Sequence, residues 1–357
     1  MSFKKQALKA AVFGVSRETC GAHGSAPRNF RTPPIVSGAK RSASCSLIQD
    51  GFAMLKKNKT MIAVFLTPAL ICYVLFFLYP TIRTFVMSFF RIESISDPVS
   101  TWKFFGFGNY KKLFSTPIFL QSMYNIARIW CIGGLGTMFM SLLFAFILSS
   151  GIRAKSFFRS AIYLPNVVSA VAMGTMWINY IYNPDYGLLY TVLHHIGILD
   201  GAEKILWTGP GNLFWSMLVA YCFGMVGYHM LIFMSGIEQI PRDYYEAALL
   251  DGCNGWQRFI HITVPFLRGV ARTNLVMWTV YTVGFFVWGQ LFSPVNLSND
   301  TVAPMNYMYE LVFGSSSAAN TARDTGAGAA IGIIMMLIVI VVFLLTSRIV
   351  KNDDTEV

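Results

Sequence analysis

Glu246-Ala247-Ala248, then Asp251-Gly252, then Ile262, then Val264-Pro265 punctuate a polar segment, 237–265, set between two long apolar stretches. The pattern predicts a short helix, a glycine stop and a second short helix. Pro241 suits the first helical position and Gly252 the position just past the end. Asn254 with Gln257 has the spacing of a capping box opening the second helix. Pro265 then marks the start of the next apolar segment. A rigid helical elbow projecting from an apolar domain is a docking surface. The plainer alternative is an ordinary amphipathic loop.

Working outward, the chain is 55% hydrophobic and 13% charged, whereas soluble domains carry about 25% charged residues. Uncharged runs cover 60–82, 129–152, 160–184, 205–237, 273–299 and 325–347. Each exceeds the roughly 20 residues that cross a bilayer as a helix. Unpaired backbone groups are too costly in lipid, so the runs are expected to be helices. The run from 205 opens with the turn sequence Trp207-Thr208-Gly209-Pro210-Gly211-Asn212, which places its span from about Leu213. The expected fold is all-α, a polytopic membrane protein with six transmembrane helices.

Charge placement orients these spans. Lys56, Lys57 and Lys59 precede the first; Arg153, Lys155 and Arg159 fill the second loop; Arg242, Arg258, Arg268 and Arg272 mark the elbow; Arg348 and Lys351 follow the last. The positive-inside rule makes all of these cytoplasmic, and with them both termini and the elbow. The loops at 183–212 and 300–324 hold more acid than base and face outside, while Lys103, Lys111 and Lys112 weaken the contrast at 91–123. The net charge of +11 is concentrated in the first 60 residues, so no basic stripe on a folded face points to nucleic acid.

Residues 1–53 form a basic N-terminal extension without apolar periodicity. A tail near anionic lipid, a transit peptide and a mis-set start all fit it, and Met54-Leu55-Lys56-Lys57 reads as an ordinary beginning. The extension is expected to be dispensable. The membrane domain is assigned to 54–352 and a short cytoplasmic tail to 353–357.

The residues offer little chemistry. The six cysteines make no C-x-x-C pair and read as small apolar fillers. His194 and His195 with Asp200 have a metal alternative, but adjacent loop histidines are more often solvated, and no metal is expected. His229 lies inside a span, where an ionisable group is a functional candidate, or a neutral histidine bonded to a neighbouring helix. No phosphate-binding G-x-x-x-x-G-K-[ST], no G-x-S-x-G and no H-E-x-x-H occurs, so the chain is read as a non-enzyme without a cofactor of its own. If it moves a solute uphill, a partner must supply the energy at the elbow. Candidates for a solute path are Trp177, Asn179, Tyr180, Tyr221, Tyr228, Trp278, Tyr281, Trp288 and Gln290. Sugars are held by aromatic faces and a few polar groups. Trp278, Tyr281 and Phe285 share a helical face by spacing, although aromatic residues in spans are more often core or interfacial anchors.

The elbow closely resembles the EAA loop of binding-protein-dependent ABC importer membrane subunits: Glu246-Ala247-Ala248, Gly252, Ile262 and Val264-Pro265 keep its spacing, with Val264 in place of the usual Leu. Pro68, Tyr79-Pro80, Gly106-Phe107-Gly108-Asn109-Tyr110, Asn125, Phe158-Arg159, Leu164-Pro165, Trp177 and Asn183-Pro184-Asp185-Tyr186-Gly187 are similar to further segments of the carbohydrate branch, that of maltose-transporter and glycerol-phosphate permeases. The likeness covers about 54–350. It implies a half-permease that pairs with a second homologous membrane subunit, two cytoplasmic ATPase subunits that bind ATP and Mg, and an extracytoplasmic solute-binding protein, in a bacterial inner membrane. Glu246, Ala247, Ala248, Asp251, Gly252, Ile262 and Pro265 would then form the ATPase-coupling helix, and a carbohydrate the substrate. Another solute such as glycerol-phosphate, an ion-coupled carrier or a membrane enzyme remain the alternatives.

Overall fold

A computed structural model describes residues 59–198, 204–294, 298–314 and 323–349. The extension at 1–53, the tail at 353–357 and Asp200 lie outside them. The chain divides between Ile71 and Cys72, and the packing below concerns the unit from Cys72 on.

The order is α1 (Lys59–Tyr73), α2 (Tyr79–Met87), a short antiparallel pair β1 (Phe90–Arg91) and β2 (Lys103–Phe104), α3 (Gly108–Phe114), α4 (Pro117–Arg128), α5 (Gly134–Ser149), α6 (Lys155–Val167), α7 (Ala170–Met176), α8 (Leu188–His195), α9 (Leu213–Ile237), α10 (Arg242–Leu250), α11 (Gly255–Arg258), α12 (Val264–Phe266), α13 (Arg268–Val283), α14 (Val287–Phe292), α15 (Pro304–Phe313) and α16 (Thr325–Ile349). Among the described residues, helices long and apolar enough to cross a membrane are Met61–Met87, Pro117–Ser149, Leu213–Ile237 and Thr325–Arg348. Lys155–Val167 with Ala170–Ile181, bent by 97°, makes a fifth if the bent pair is one span.

Six unbroken spans were expected, and three runs differ for identifiable reasons. The second span starts at Pro117 rather than at residue 129, because Arg128 does not interrupt it. The Arg128 guanidinium stacks 3.7 Å from the Phe214 ring centre, with Tyr124 and Trp215 beside it, so the charge is met by aromatic faces. The 160–184 run bends because Pro165 lacks an N–H and Ser169 caps a new helix, its hydroxyl accepting from the Ala172 N–H. The 273–299 run is divided. Its helix begins at Arg268 and stops at Val283, a rise of about 24 Å against a core of about 30 Å. Phe285 is drawn into the core against Tyr221, at 4.9 Å, and the chain restarts as α14.

Apolar burial drives little helix association in lipid, so small residues and hydrogen bonds set the packing. The central helix, α9, meets α5, α6 and α13. A Cβ on Gly227 would lie 2.3 Å from the Ile162 carbonyl oxygen of α6, so only glycine permits that approach. The Ser141 hydroxyl donates to the Val226 carbonyl. Trp278 and Trp130 interlock: the Trp278 Nε1–H donates to the Trp130 carbonyl at 3.0 Å, and the Trp130 Nε1–H to Thr279 Oγ1 at 2.9 Å. Asn109 ties the carbonyls of Ser88 and Phe90, and Asn125 those of Asn299 and Val302.

Candidate functional site

The elbow follows from its local sequence. Pro241 precedes α10 as its cap, one position earlier than expected, and Asp243 sits in the first turn, where a negative charge suits the helix dipole. The far end closes by a Schellman pair. The Cys253 N–H donates to the Ala248 carbonyl and the Gly252 N–H to the Leu249 carbonyl, with Gly252 at φ +77°. Nothing lies within 4 Å of a Cβ built there, so the constraint at Gly252 is backbone conformation and not crowding. The capping box is present: the Gln257 N–H donates to Asn254 Oδ1 at 2.9 Å, and the Asn254 N–H to Gln257 Oε1 at 2.8 Å. A wide π turn, Phe259–Thr263, and α12 with Pro265 in its first turn lead to α13.

The two arms are tied together and to the bundle. The Tyr245 and Thr263 hydroxyls are 3.0 Å apart, the Tyr244 and Phe266 rings 5.0 Å, and Phe259 rests on Phe146 of α5 at 4.7 Å. Of the seven residues expected here, Glu246, Ala247, Asp251 and Gly252 are exposed. Ala248 is buried, and Ile262 and Pro265 are half-buried on the second arm. Ala248 therefore packs inward instead of offering an outer surface. The outer tip is apolar where the motif did not point: Leu250 is 90% exposed, and Leu249 and Trp256 are exposed as well. Two leucines just before the glycine of a polar loop were the available signal.

A cavity of about 250 Å³ opens between the bend of α6 and α7, the middle of α9 and the break between α13 and α14. Pro165, Asn166, Met173, Tyr221, Met225, Tyr281, Phe285 and Trp288 are among its lining residues, and none of the lining residues is charged. Asn166 is anchored by donating to the Gly224 carbonyl. The Tyr221 hydroxyl is buried and has no hydrogen-bond partner among the described residues. Of the expected path residues, Tyr221, Tyr281 and Trp288 line this space, and Tyr228 touches Tyr281 edge-on at 5.1 Å. Trp278 does not reach it; the residue is fully buried and spent on Trp130. Trp177 packs on Tyr182 and Phe223, while Asn179 and Tyr180 are exposed and Gln290 half-buried, none of the four lining the cavity. The expected Trp278, Tyr281 and Phe285 stripe is thus split between core and cavity. Pro165 and Asn166 were missed, although a proline inside an apolar run was a visible cue.

His229 is engaged, its Nδ1 lying 2.8 Å from Asn274 Oδ1 on α13. Among the described residues no three His, Cys, Asp or Glu side chains gather as metal ligands would. His194 and His195 end the short α8, with His194 against the Tyr190 ring.

Residues 112–352 match the family described as "Binding-protein-dependent transport system inner membrane component". The chain belongs to this family. It is an inner-membrane subunit of an ABC importer and not an enzyme. It is 32% identical over 243 residues to a probable ABC transporter permease protein, YurN, of Bacillus subtilis, covering 66% of this chain and 81% of that one. It is 30% identical over 263 residues to the lactose transport system permease protein LacF of Rhizobium radiobacter, covering 70% and 82%. A solved chain from a bacterial ABC transporter involved in import of the acidic polysaccharide alginate superposes with a TM-score of 0.66 at 19% identity, over 85% of this chain and 99% of that one. The last comparison speaks to fold alone.

Proposed function

We propose that this subunit is half of a permease that takes up a sugar or oligosaccharide delivered by an extracytoplasmic solute-binding protein. The observation that carries the coupling half of this reading is the elbow: a helix fixed at both ends, latched by Tyr245 and Thr263, and bearing an apolar tip at Leu249 and Leu250. Such a tip fits a cleft of a cytoplasmic ATPase, two of which would bind ATP and Mg and drive transport. Glu246, Ala247, Asp251 and Gly252 would stand at the contact, with Ala248, Ile262 and Pro265 supporting it. A second homologous membrane subunit would close the side of the cavity that this chain leaves open. The arginine and lysine placement supports both termini and the elbow lying in the cytoplasm.

For the solute, Tyr281, Trp288 and the unpartnered Tyr221 hydroxyl suit the aromatic faces and hydroxyls of a glycan. The relative named for lactose supports that class. A phosphorylated polyol would want a cation in the cavity, and Arg128 is instead stacked on Phe214. The test is hydrolysis and uptake by the reconstituted transporter with its binding protein loaded from a panel of neutral glycans. Stimulation by one glycan class, reduced in Tyr281→Ala and Trp288→Ala, is expected. Stimulation by a non-carbohydrate alone would overturn the solute assignment.

A further inference from the structure

A second cavity, of about 290 Å³, lies between the start of α13 and the end of α16. It is lined by Gly269, Arg272, Thr273, Val276, Met277 and Phe343. Gly269, Arg272, Thr273 and Val276 fall at the spacing of one helical face. The groove therefore has a polar, cationic lower turn and an apolar upper turn, with Phe343 across it. The Arg272 guanidinium lies 5.9 Å from the Phe343 ring centre, the outer limit of a cation–π contact. No acidic group lies within ion-pair distance of Arg272 among the described residues.

Its depth fits a membrane surface. Arg348 follows Phe343 by five residues on the same helix, about 7 Å further along the axis. Arg268, exposed, stands one turn before Arg272 on α13. Arg268 and Arg272 thus share one face of α13 at the mouth of the groove, whose apolar walls lead inward from Arg272. A cation at this depth attracts anionic lipid. Arginine takes a phosphate by paired hydrogen bonds.

We propose that this groove is a binding site for an anionic phospholipid. The headgroup phosphate sits on Arg272, with Arg268 one turn away, and an acyl chain lies along Val276, Met277 and Phe343. Basic pockets between spans at the cytoplasmic surface are suited to such lipids. The inference uses the membrane reading of the chain but neither its solute nor its coupling partner.

The experiment is native mass spectrometry of the complete transporter, delipidated and titrated with dioleoyl-phosphatidylglycerol or dioleoyl-phosphatidylcholine. The wild type is expected to retain phosphatidylglycerol in preference to phosphatidylcholine. Arg272→Gln should weaken that retention roughly fivefold, the effect of one basic residue near a lipid surface, and Arg272→Lys should restore most of it. Val276→Trp, which fills the apolar turn without touching charge, should reduce retention of phosphatidylglycerol as well. Equal retention by wild type, Arg272→Gln and Val276→Trp would overturn the proposal. So would retention that appears only after deletion of residues 350–357, whose Asp353, Asp354 and Glu356 would then be the counter-charge. A groove inaccessible to lipid in the assembled complex, being covered by the second membrane subunit, would overturn it too. Lipid counting does not depend on uptake, so a failed transport assay leaves the result readable.

Discussion

The Tyr245 hydroxyl stands 3.0 Å from the Thr263 hydroxyl, joining the first arm of the elbow to the second across the turn at Gly252. Thr263 is fully buried, so its hydroxyl depends on Tyr245. Tyr245→Phe and Thr263→Val should each destabilise the purified complex by about 1 kcal/mol, and the pair together by little more than either alone. Thermal melts in a double-mutant cycle measure this. Strictly additive losses would mean that the two hydroxyls do not interact.

Gly227 carries the contact between α9 and α6. Its Cβ would meet the Ile162 carbonyl, while a Cβ on Gly136 would meet nothing within 4 Å. Gly227→Ala is therefore expected to lower stability by about 1–3 kcal/mol through overpacking, and Gly136→Ala to be tolerated. Melting temperatures of the two variants in detergent decide it; equal behaviour would remove the close-approach account.

His229 and Asn274 are both fully buried, and their contact joins α9 to α13, the helices that lead into and out of the elbow. Asn274→Leu should cost roughly 1–3 kcal/mol by stranding the imidazole. Replacing both, with His229→Phe and Asn274→Leu, should recover part of that loss. A double variant worse than the sum of the singles would show that the pair is not a closed unit.

Much of this was legible because several motifs are local. Gly252 and the Asn254 and Gln257 box are turn chemistry, which nearest neighbours decide, and the structure contains both. Asn109 and Asn125 drew notice only by resemblance, and their work is long-range: each holds two carbonyls of a distant segment. The span count was less legible. Uncharged length says nothing of Phe285 turning into the core or of Ser169 capping a new helix. Periodicity put Trp278 with Tyr281 on one face, yet the Trp130 carbonyl claims Trp278. Leu250 was overlooked because an apolar residue on a short amphipathic helix looks like its inward face until its exposure is seen.

Orientation has a direct chemical readout. In a background lacking all six cysteines, a cysteine at position 195 should react with an impermeant maleimide from outside, and one at position 250 only after the membrane is opened. Outside labelling at 250 would reverse the assignment.

The coupling role of the elbow is the central claim, and Gly252 tests it with least disturbance elsewhere. Its φ of +77° is poorly adopted by a β-branched residue, while a Cβ built there meets nothing within 4 Å among the described residues. In reconstituted transporter carrying Gly252→Val or Glu246→Lys, the membrane subunit should reach normal levels, while co-purified ATPase and hydrolysis stimulated by the loaded binding protein both fall. Full retention of the ATPase and of stimulated hydrolysis in both variants would contradict the account.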